Sequence, residues 1–322
     1  MFPWAYGDSL RDVWEGVPKQ SPSKEIIEQA IVQLRGLADA LDRLHHFDSG
    51  ISEYGMTQPA AEPTAPATLA IVQDDKEEYK DVSNKESIRH GDLKPENILN
   101  FSDYGGGREV LGILKIADMG LAKRHIDATQ DRLNPTSTRY GTIRYEAPET
   151  VTEKNARSRL YDIWSMGCIT LEFIIWILYG SDELNNFYNQ SKGDTKRDFQ
   201  YFEVLVDEVQ RRAQLHSVVQ RWIDHIQNTD PECSQDSAIR DLLSIVQTRL
   251  LVVPLPPDQA SSPRLGPPLA PPEINETVTN YRASASQFRD ALDRILLKMD
   301  VPGYVLTGKQ RIDVRTPGQK SI

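Results

Sequence analysis

Four short motifs occur in one order along the middle of the chain. They are HGDLKPEN at 90–97, KIADMG at 115–120, GTIRYEAPE at 141–149 and YDIWSMG at 161–167. A single HxD or DxG arises by chance in many proteins, and Asp92 alone would be interpreted as a turn or helix-cap residue. Four motifs in this order and at this spacing make coincidence remote. They constrain the fold more than any other feature of the sequence.

The first two motifs supply the groups that phosphoryl transfer from ATP requires. Asp92 offers a carboxylate that can orient an attacking hydroxyl, and Lys94 offers a cation for phosphate oxygens. Asn97 and Asp118 add an amide oxygen and a second carboxylate. Hard oxygen ligands of this kind suit Mg²⁺ held jointly by protein and phosphate.

Together, the motifs resemble the C-terminal lobe of a eukaryotic-type serine/threonine protein kinase. The resemblance runs from about residue 1 to 298 and implies a mainly helical α+β fold. It implies that a short β-hairpin carries the end of the catalytic loop and Asp118. The position of Lys94 resembles the serine/threonine branch rather than the tyrosine branch.

The resemblance also implies roles for individual residues. Asp92 corresponds to the catalytic base, and Lys94 to the lysine that stabilises the transferred phosphoryl group. Asn97 and Asp118 correspond to the magnesium ligands. Thr142 is expected to lie near Asp92 and Lys94 and to help hold the acceptor hydroxyl of a protein substrate.

The opening residues, FPWAYGDSLRDVWE, resemble the hinge of a kinase and the helix that follows it. By this analogy Phe2 is the gatekeeper, and the backbone of Pro3 and Ala5 faces the adenine of ATP. Ser9 is expected near the ribose, and Leu99 is expected to form the floor of the adenine pocket.

Two supporting contacts follow from the same resemblance. Glu149, in the APE run, is expected to pair with Arg282. Asp162 is expected to accept hydrogen bonds from the backbone of the catalytic loop. The apolar stretch at 163–180 then forms a helix in the core of the lobe rather than a membrane span, since it contains a glutamate and is barely long enough to cross a bilayer.

The hydrophobic pattern predicts the secondary structure outside these motifs. Ser21-Pro22 is the expected cap and first-turn proline of the first long helix. Between 96 and 121, two apolar runs separated by SDYGGGR predict two strands joined by a turn. Helices are predicted at 25–46, 161–179, around 198–227, 237–252 and 284–298.

Three segments have a different composition. Residues 48–87 are rich in Pro and Ala and then strongly charged, and residues 254–273 contain eight of the 20 prolines. Both are predicted to be flexible insertions, because neither can bury enough apolar surface to offset the entropy of ordering. The polar tail at 299–322 is predicted to be loose.

The sequence also departs from the family. Protein kinases cover the phosphates with a Gly-rich loop and anchor them with a strand lysine, and the sequence before Phe2 contains neither. One hypothesis is an ATP- and magnesium-dependent protein kinase that is incomplete in this chain, with upstream sequence or a partner supplying the missing lobe. The alternative is a non-catalytic kinase-like lobe that acts as a binding or scaffold module. Small-molecule phosphotransferases share HxDxxxxN, but Lys94 and the APE and DIWSMG runs argue against them.

Charge and cysteine content limit the binding partners and the cellular compartment that the sequence suggests. Lys+Arg number 37 and Asp+Glu 47, a formal net charge of −10, which argues against broad binding to nucleic acid or anionic membranes. The chain contains two cysteines, which is unlike a secreted disulfide framework. With no secretory signal in the sequence, a cytoplasmic or nuclear location is expected.

Overall fold

The computed structural model describes eleven stretches of the chain. They are residues 8–17, 21–46, 87–101, 111–118, 123–125, 143–152, 158–192, 199–206, 211–256, 280–310 and 316–317. Within them the chain is mainly helical and carries small antiparallel sheets, as the resemblance to a kinase C-lobe implied. Most of the predicted insertions at 48–87 and 254–273 lies outside the described residues.

Eight α-helices follow one another in the described residues. They are α1 (Leu10–Gly16), α2 (Lys24–His45), α3 (Glu149–Thr152), α4 (Leu160–Tyr179), α5 (Ser181–Lys192), α6 (Ser217–Thr229), α7 (Ala238–Ile245) and α8 (Ala285–Leu296). Short 3₁₀ turns lie at Pro95–Asn97, Ile143–Tyr145 and Pro231–Cys233, and α7 continues into a π-turn at Val246–Leu250.

The strands pair as three two-stranded antiparallel sheets within the same stretches. Strand β1 (Ser87–Arg89) pairs with β4 (Lys123–His125), and β2 (Ile98–Phe101) pairs with β3 (Ile113–Ile116). Strand β5 (Phe202–Val206) pairs with β6 (Arg211–Leu215). The β2–β3 hairpin is the one predicted from the two apolar runs, and it carries the end of the predicted catalytic loop.

Helix α4 lies at the centre of the core. Every residue from Tyr161 to Tyr179 is buried. By length and composition α4 could cross a membrane, yet 94% of its apolar window is buried inside the protein. Trp14 of α1 packs edge-on against Phe173 of α4, with ring centroids 5.4 Å apart. The apolar stretch is therefore packed as a core helix, as predicted.

Helix α2 packs its apolar stripe against the same core. Residues of the predicted stripe at alternating steps of four and three are fully buried: Ile27, Ile31, Leu34, Ala38 and Leu41. Burying each large aliphatic side chain contributes about 1.5–3 kcal/mol. The predicted cap was wrong by two residues, because the hydroxyl of Ser23, in extended backbone, accepts the hydrogen bond from the N–H of Ile26.

The region at 198–227 differs from the prediction of a helix. Its first half forms the β5–β6 hairpin, with Phe202 opposite Leu215 and Val206 opposite Arg211. Strand β5 reads FEVLV, and its β-branched and aromatic residues favour a strand over a helix. Helix α6 begins only at Ser217, after His216 has capped it.

The tail after Val301 is not loose over the residues that the structure describes, so that prediction was wrong for 301–310. Tyr304 and Val305 are buried, and the carbonyl of Tyr304 accepts a 2.8 Å hydrogen bond from the N–H of Ala238. The Tyr304 hydroxyl donates to Asp241 at 2.6 Å. These contacts, with the hydrogen bond from the Thr307 N–H to Glu232 at 2.8 Å, fix the segment against the start of α7 and the turn before it.

Candidate active site

The β2–β3 hairpin places Asn97 and Asp118 at one end of the same small sheet. Ile98 and Ile116 face each other in the register of the hairpin. One step beyond them, the N–H of Ala117 donates to the carbonyl of Asn97 at 2.9 Å. Asp118 follows directly, so backbone pairing places the two predicted magnesium ligands at the same end of the hairpin.

His90 connects the predicted catalytic loop, residues 90–97, to the strand that leads to Asp118. Its Nδ1 accepts a hydrogen bond from the N–H of Asp92 at 3.3 Å, and its Nε2 lies 2.8 Å from the carbonyl oxygen of Ala117. An acceptor at Nδ1 and a donor at Nε2 correspond to the neutral imidazole with its proton on Nε2. The ring is fully buried, so it fixes the separation between the loop and the strand.

The carboxylate of Asp162, in α4, binds the backbone at the start of the loop. Its carboxylate accepts from the N–H of His90 at 2.8 Å and from the N–H of Gly91 at 2.9 Å. His45 Nε2 lies 2.9 Å from the same carboxylate. These contacts confirm that Asp162 receives hydrogen bonds from the catalytic-loop backbone. Gly91 has φ of +81°, the left-handed region that favours glycine.

The carboxylate of Asp92 lies between two side chains of its own loop. The amide Nδ2 of Asn97 donates to the Asp92 backbone carbonyl at 2.8 Å and to its Oδ2 at 3.1 Å. Lys94 Nζ lies 3.0 Å from the same Oδ2. The Asp92 side chain is 10% exposed and that of Lys94 21% exposed. The structure therefore brings Asp92, Lys94 and Asn97 together, with the side chains of Asp92 and Lys94 partly exposed.

The residues at this edge fit a magnesium ion. With Nδ2 of Asn97 turned toward Asp92, the amide Oδ1 of Asn97 faces the other way and can serve as a ligand. Asp118 is exposed and has φ of +59°. This costs a non-glycine residue about 1–2 kcal/mol. An amide oxygen and a carboxylate are ligands that Mg²⁺ prefers. Within the described ranges, no group of three His, Cys, Asp or Glu side chains is placed to hold a metal.

The N-terminal segment lies against strand β2. Ser9 and Leu99 form an isolated antiparallel bridge, and the N–H of Asn100 donates to the carbonyl of Asp8 at 2.9 Å. The side chain of Ser9 caps α1 by accepting from the backbone N–H of Asp12 at 3.3 Å. The Ser9 hydroxyl also donates to Asp12 Oδ2 at 2.5 Å. This hydrogen bond lowers the pKa of Asp12.

The nucleotide contacts proposed for Ser9 and Leu99 stay predictions, although the structure does place the two residues side by side. Phe2, Pro3 and Ala5 of the hinge lie outside the described residues, and so does Thr142.

A buried cluster around Arg11 and Glu172 lies next to the loop, and the sequence did not predict it. Arg11 of α1 donates from Nε to Glu96 Oε1 at 3.0 Å, and its Nη2 lies 3.8 Å from Glu172 Oε2. The same guanidinium donates to the hydroxyls of Tyr188 at 2.6 Å and Tyr145 at 2.8 Å. Glu96 lies four residues after Asp92, so this cluster ties α1 and α4 to the catalytic loop.

The charged groups in the cluster shift one another's pKa values. Burial raises the pKa of Glu172, and the positive charges of Arg11 and Arg144 oppose that rise. For Arg11, burial works to lower the pKa, but Glu172 and the neighbouring tyrosines outweigh it and the pKa rises. Glu172 was the one acidic residue in an otherwise apolar run. This was the only signal in the sequence that could have indicated a buried polar contact.

The predicted pair of Glu149 and Arg282 is present. Arg282 Nη1 lies 2.7 Å from Glu149 Oε1, and both side chains are buried. The end of the APE run is thereby fixed to the segment that leads into α8.

Comparison with known sequences finds matches to protein kinases. Residues 83–240 match the family model described as protein kinase domain. The chain is 39% identical over 88 residues to a probable cell division protein kinase of Encephalitozoon cuniculi, which covers 27% of this chain and 29% of that protein.

Two myosin light chain kinases match a longer part of the chain. One is a probable myosin light chain kinase of Dictyostelium discoideum, 31% identical over 156 residues, or 44% of this chain and 30% of that protein. The other is myosin light chain kinase 2, skeletal/cardiac muscle, of Homo sapiens, 26% identical over 167 residues, or 47% and 26%. The chain thus spans less than a third of the length of each of these three relatives.

Proposed function

Because the chain carries a eukaryotic-type protein kinase domain, we propose that it transfers phosphate from ATP to a serine or threonine hydroxyl of a protein substrate. The observation that carries the proposal is the joint placement of Asp92, Lys94 and Asn97 beside strand β3, which Asp118 follows by two residues. A carboxylate, a cation and two oxygen ligands at one edge are the set that phosphoryl transfer requires.

Each group has a distinct role in this proposal. Asp92 accepts a hydrogen bond from the attacking hydroxyl and orients it toward the phosphate. Lys94, which contacts Asp92 at 3.0 Å, has a chain long enough to turn toward the phosphoryl oxygens. Asn97 and Asp118 hold magnesium, which when bound neutralises the charge on the phosphate oxygens.

The hydrogen bonds around the loop support its preorganisation. His90 and Asp162 are fully buried, and their hydrogen bonds fix the backbone of the loop that carries Asp92. Catalytic groups that are held before the substrate arrives need less reorganisation in the transition state. The preference for serine or threonine over tyrosine rests on Lys94, two residues after Asp92.

The test is phosphate transfer by the purified 322-residue chain with magnesium and ATP, using a mixture of generic protein acceptors. Asp92→Asn is expected to lower transfer by about 10²–10⁴-fold, because a neutral amide cannot act as the base. Its far-UV circular dichroism and thermal midpoint are expected to match the wild type. Asp224→Asn, on the exposed side of α6, is the matched control and is expected to keep full activity.

The outcomes separate the two candidate functions. Transfer that persists in Asp92→Asn would overturn the role of Asp92. A folded wild-type chain that transfers phosphate to no acceptor would contradict catalysis by this chain and favour the non-catalytic binding module.

A further inference from the structure

Within the described residues Arg144 forms no direct ion pair with the carboxylates of the cluster around Arg11 and Glu172. Its guanidinium lies over the ring of Tyr188, with the central carbon 4.1 Å from the ring centroid. The side chain is half-buried, and its Nε is buried with no hydrogen-bond acceptor among the described residues. A buried donor left unpaired is unfavourable, so the arginine is costly for the fold itself.

The neighbouring carboxylates contact another arginine. Arg11 makes the ion pairs with both Glu96 and Glu172, at 3.0 and 3.8 Å. The oxygens of Glu172 also accept from the Tyr145 hydroxyl at 3.0 Å and from the Tyr201 hydroxyl at 2.9 Å. Glu172 is therefore occupied on both oxygens by groups other than Arg144. The charge of Glu172 acts on Arg144 through space, but Arg144 makes no ion pair with Glu172 or Glu96 within the described residues.

The position of Arg144 relates it to the proposed reaction. It follows Thr142 by two residues, and it immediately precedes Tyr145, which Arg11 links to Glu96 of the catalytic loop. Arg144, stacked on Tyr188, is thereby part of the network that reaches the loop carrying Asp92. Arg144 adds a cation to this network, although the whole chain has a net charge of −10.

We propose that Arg144 binds an anionic side chain of the protein substrate, a carboxylate or a phosphate, within a few residues of the acceptor hydroxyl. A guanidinium presents planar donors that match both groups, and the stack on Tyr188 holds its plane in place. The proposal rests on the proposed function, since that function places the acceptor hydroxyl at Asp92.

A substrate with basic residues fits this surface less well. Glu96 and Glu172 are the carboxylates that could receive a substrate cation, and Arg11 contacts both. An incoming lysine or arginine would have to displace Arg11, which also donates to Tyr145 and Tyr188. The same incoming cation would meet repulsion from Arg144.

The test measures peptide binding without nucleotide, by fluorescence anisotropy with the purified full chain. Labelled peptides carry one serine, with Asp, phosphoserine, Ala or Lys placed at each of the three positions on either side. An extended peptide advances about 3.3 Å per residue, so this range covers the reach of an arginine side chain. Peptides with an anion at one position are expected to bind at least about tenfold more tightly than the alanine peptide, and lysine peptides more weakly.

Variants of the arginine assign the effect. Arg144→Ala is expected to remove the preference, and Arg144→Lys to keep part of it, since lysine retains the charge without the planar donors. Arg240→Ala, which removes an exposed arginine on α7, is the control and is expected to leave the preference unchanged. Thermal midpoints of all variants establish that each is folded. The aspartate and phosphoserine peptides show which of the two anions is the better ligand.

Three results would overturn the proposal. They are equal binding of acidic, neutral and basic peptides by the wild type, a preference that persists in Arg144→Ala, and no binding of any peptide. Because no ATP is used, failure of phosphate transfer does not affect the reading. An Arg144-dependent preference in a chain that transfers no phosphate would retain the anion site and reject the kinase activity.

Discussion

Arg282 binds Glu149 through two contacts, from its Nη1 to Oε1 at 2.7 Å and to Oε2 at 3.0 Å, although the two residues are 133 positions apart. Neither side chain is more than 2% exposed. The guanidinium also donates to the carbonyls of Val252 at 2.9 Å and Leu160 at 3.1 Å, and it lies over the ring of Trp164. One side chain thus fixes the APE run, the start of α4 and the segment after the π-turn.

Removing one partner of this pair is expected to be costly. Glu149→Ala leaves the Arg282 charge buried without its counter-ion, and this costs about 3–5 kcal/mol of unfolding free energy. The measurement is urea denaturation followed by circular dichroism. Arg240→Ala, which breaks the exposed pair with Asp236, serves as the surface control and is expected to cost less than about 1 kcal/mol. A similar small loss in both variants would contradict a structural role for the buried pair.

Two glycines are expected to respond to alanine with opposite sign. Gly91 has φ of +81°, where a Cβ is strained, so Gly91→Ala is expected to lower the unfolding free energy by about 1–2 kcal/mol. Gly36 lies on the exposed face of α2, and a Cβ there would meet nothing within 4 Å. Gly36→Ala is therefore expected to raise the unfolding free energy by about 0.5–1 kcal/mol. Denaturation of both variants tests the pair, and shifts of the same sign would contradict it.

The parts of the fold that the sequence predicted are those fixed by motif order or by a long repeat. Asp162 was assigned to the catalytic-loop backbone and Glu149 to Arg282 through the family resemblance, and both contacts are present. Helix α2 shows its apolar stripe over 22 residues. A period that long outweighs local ambiguity, so the helix was predicted to within one residue at each end.

Short elements were predicted less well. The β5–β6 hairpin has strands of five residues each, too short for a pattern of period two to exclude a helix. Composition predicts a loose polar tail, but Tyr304 and Val305 are buried and Thr307 bonds Glu232. Local composition does not show which surface a chain segment will meet.

The candidate site also has one part that the sequence predicted and one part that it did not. Asp92, Lys94 and Asn97 lie within one loop, so the sequence alone places them together. The contacts of Arg11 with Glu96, Tyr145 and Tyr188 join residues 85, 134 and 177 positions apart. These groups lie on α1, on the 3₁₀ turns Pro95–Asn97 and Ile143–Tyr145 and on α5, so tertiary packing brings them into contact and no spacing in the sequence encodes that.

His216 is expected to make the stability pH-dependent. Its Nδ1 caps α6 by accepting from the N–H of Val218 at 3.1 Å, which requires that nitrogen to be unprotonated. Burial lowers the pKa of His216 below its usual 6.5; Glu203 opposes this shift and Arg221 adds to it. A base with a lowered pKa in the folded state contributes stability that is fully present above pH 6.5. That contribution is lost as the pH falls from there through the folded pKa.

The measurement is urea denaturation of wild type and His216→Asn at a series of values between about pH 7.5 and about pH 5. Asparagine keeps a cap acceptor but does not titrate, so the variant is expected to lose less stability than the wild type over this range. His225→Asn, on the same helix, is the control and is expected to follow the wild type. Glu203 also faces this ring, but a hydrogen bond from the Ser217 N–H lowers its pKa, so it titrates at more acid pH. Identical slopes for wild type and His216→Asn would reject the assignment.

Asp162→Asn is expected to weaken both the core and the catalytic loop. The carboxylate accepts from His90 and Gly91 and contacts His45, whereas an asparagine has one acceptor oxygen and would turn an amide N–H₂ toward a donor. Leaving one buried donor unpaired costs about 1–3 kcal/mol of unfolding free energy. The sharper readout is amide hydrogen exchange, where protection of the His90 and Gly91 N–H groups is expected to fall in Asp162→Asn and to be retained in the exposed control Asp224→Asn. Since Asp92→Asn removes a reacting group without touching these bonds, it is expected to keep that protection while losing phosphate transfer. Unchanged protection in Asp162→Asn would mean that the backbone of the loop is held by other contacts, and that the buried aspartate supports only α4.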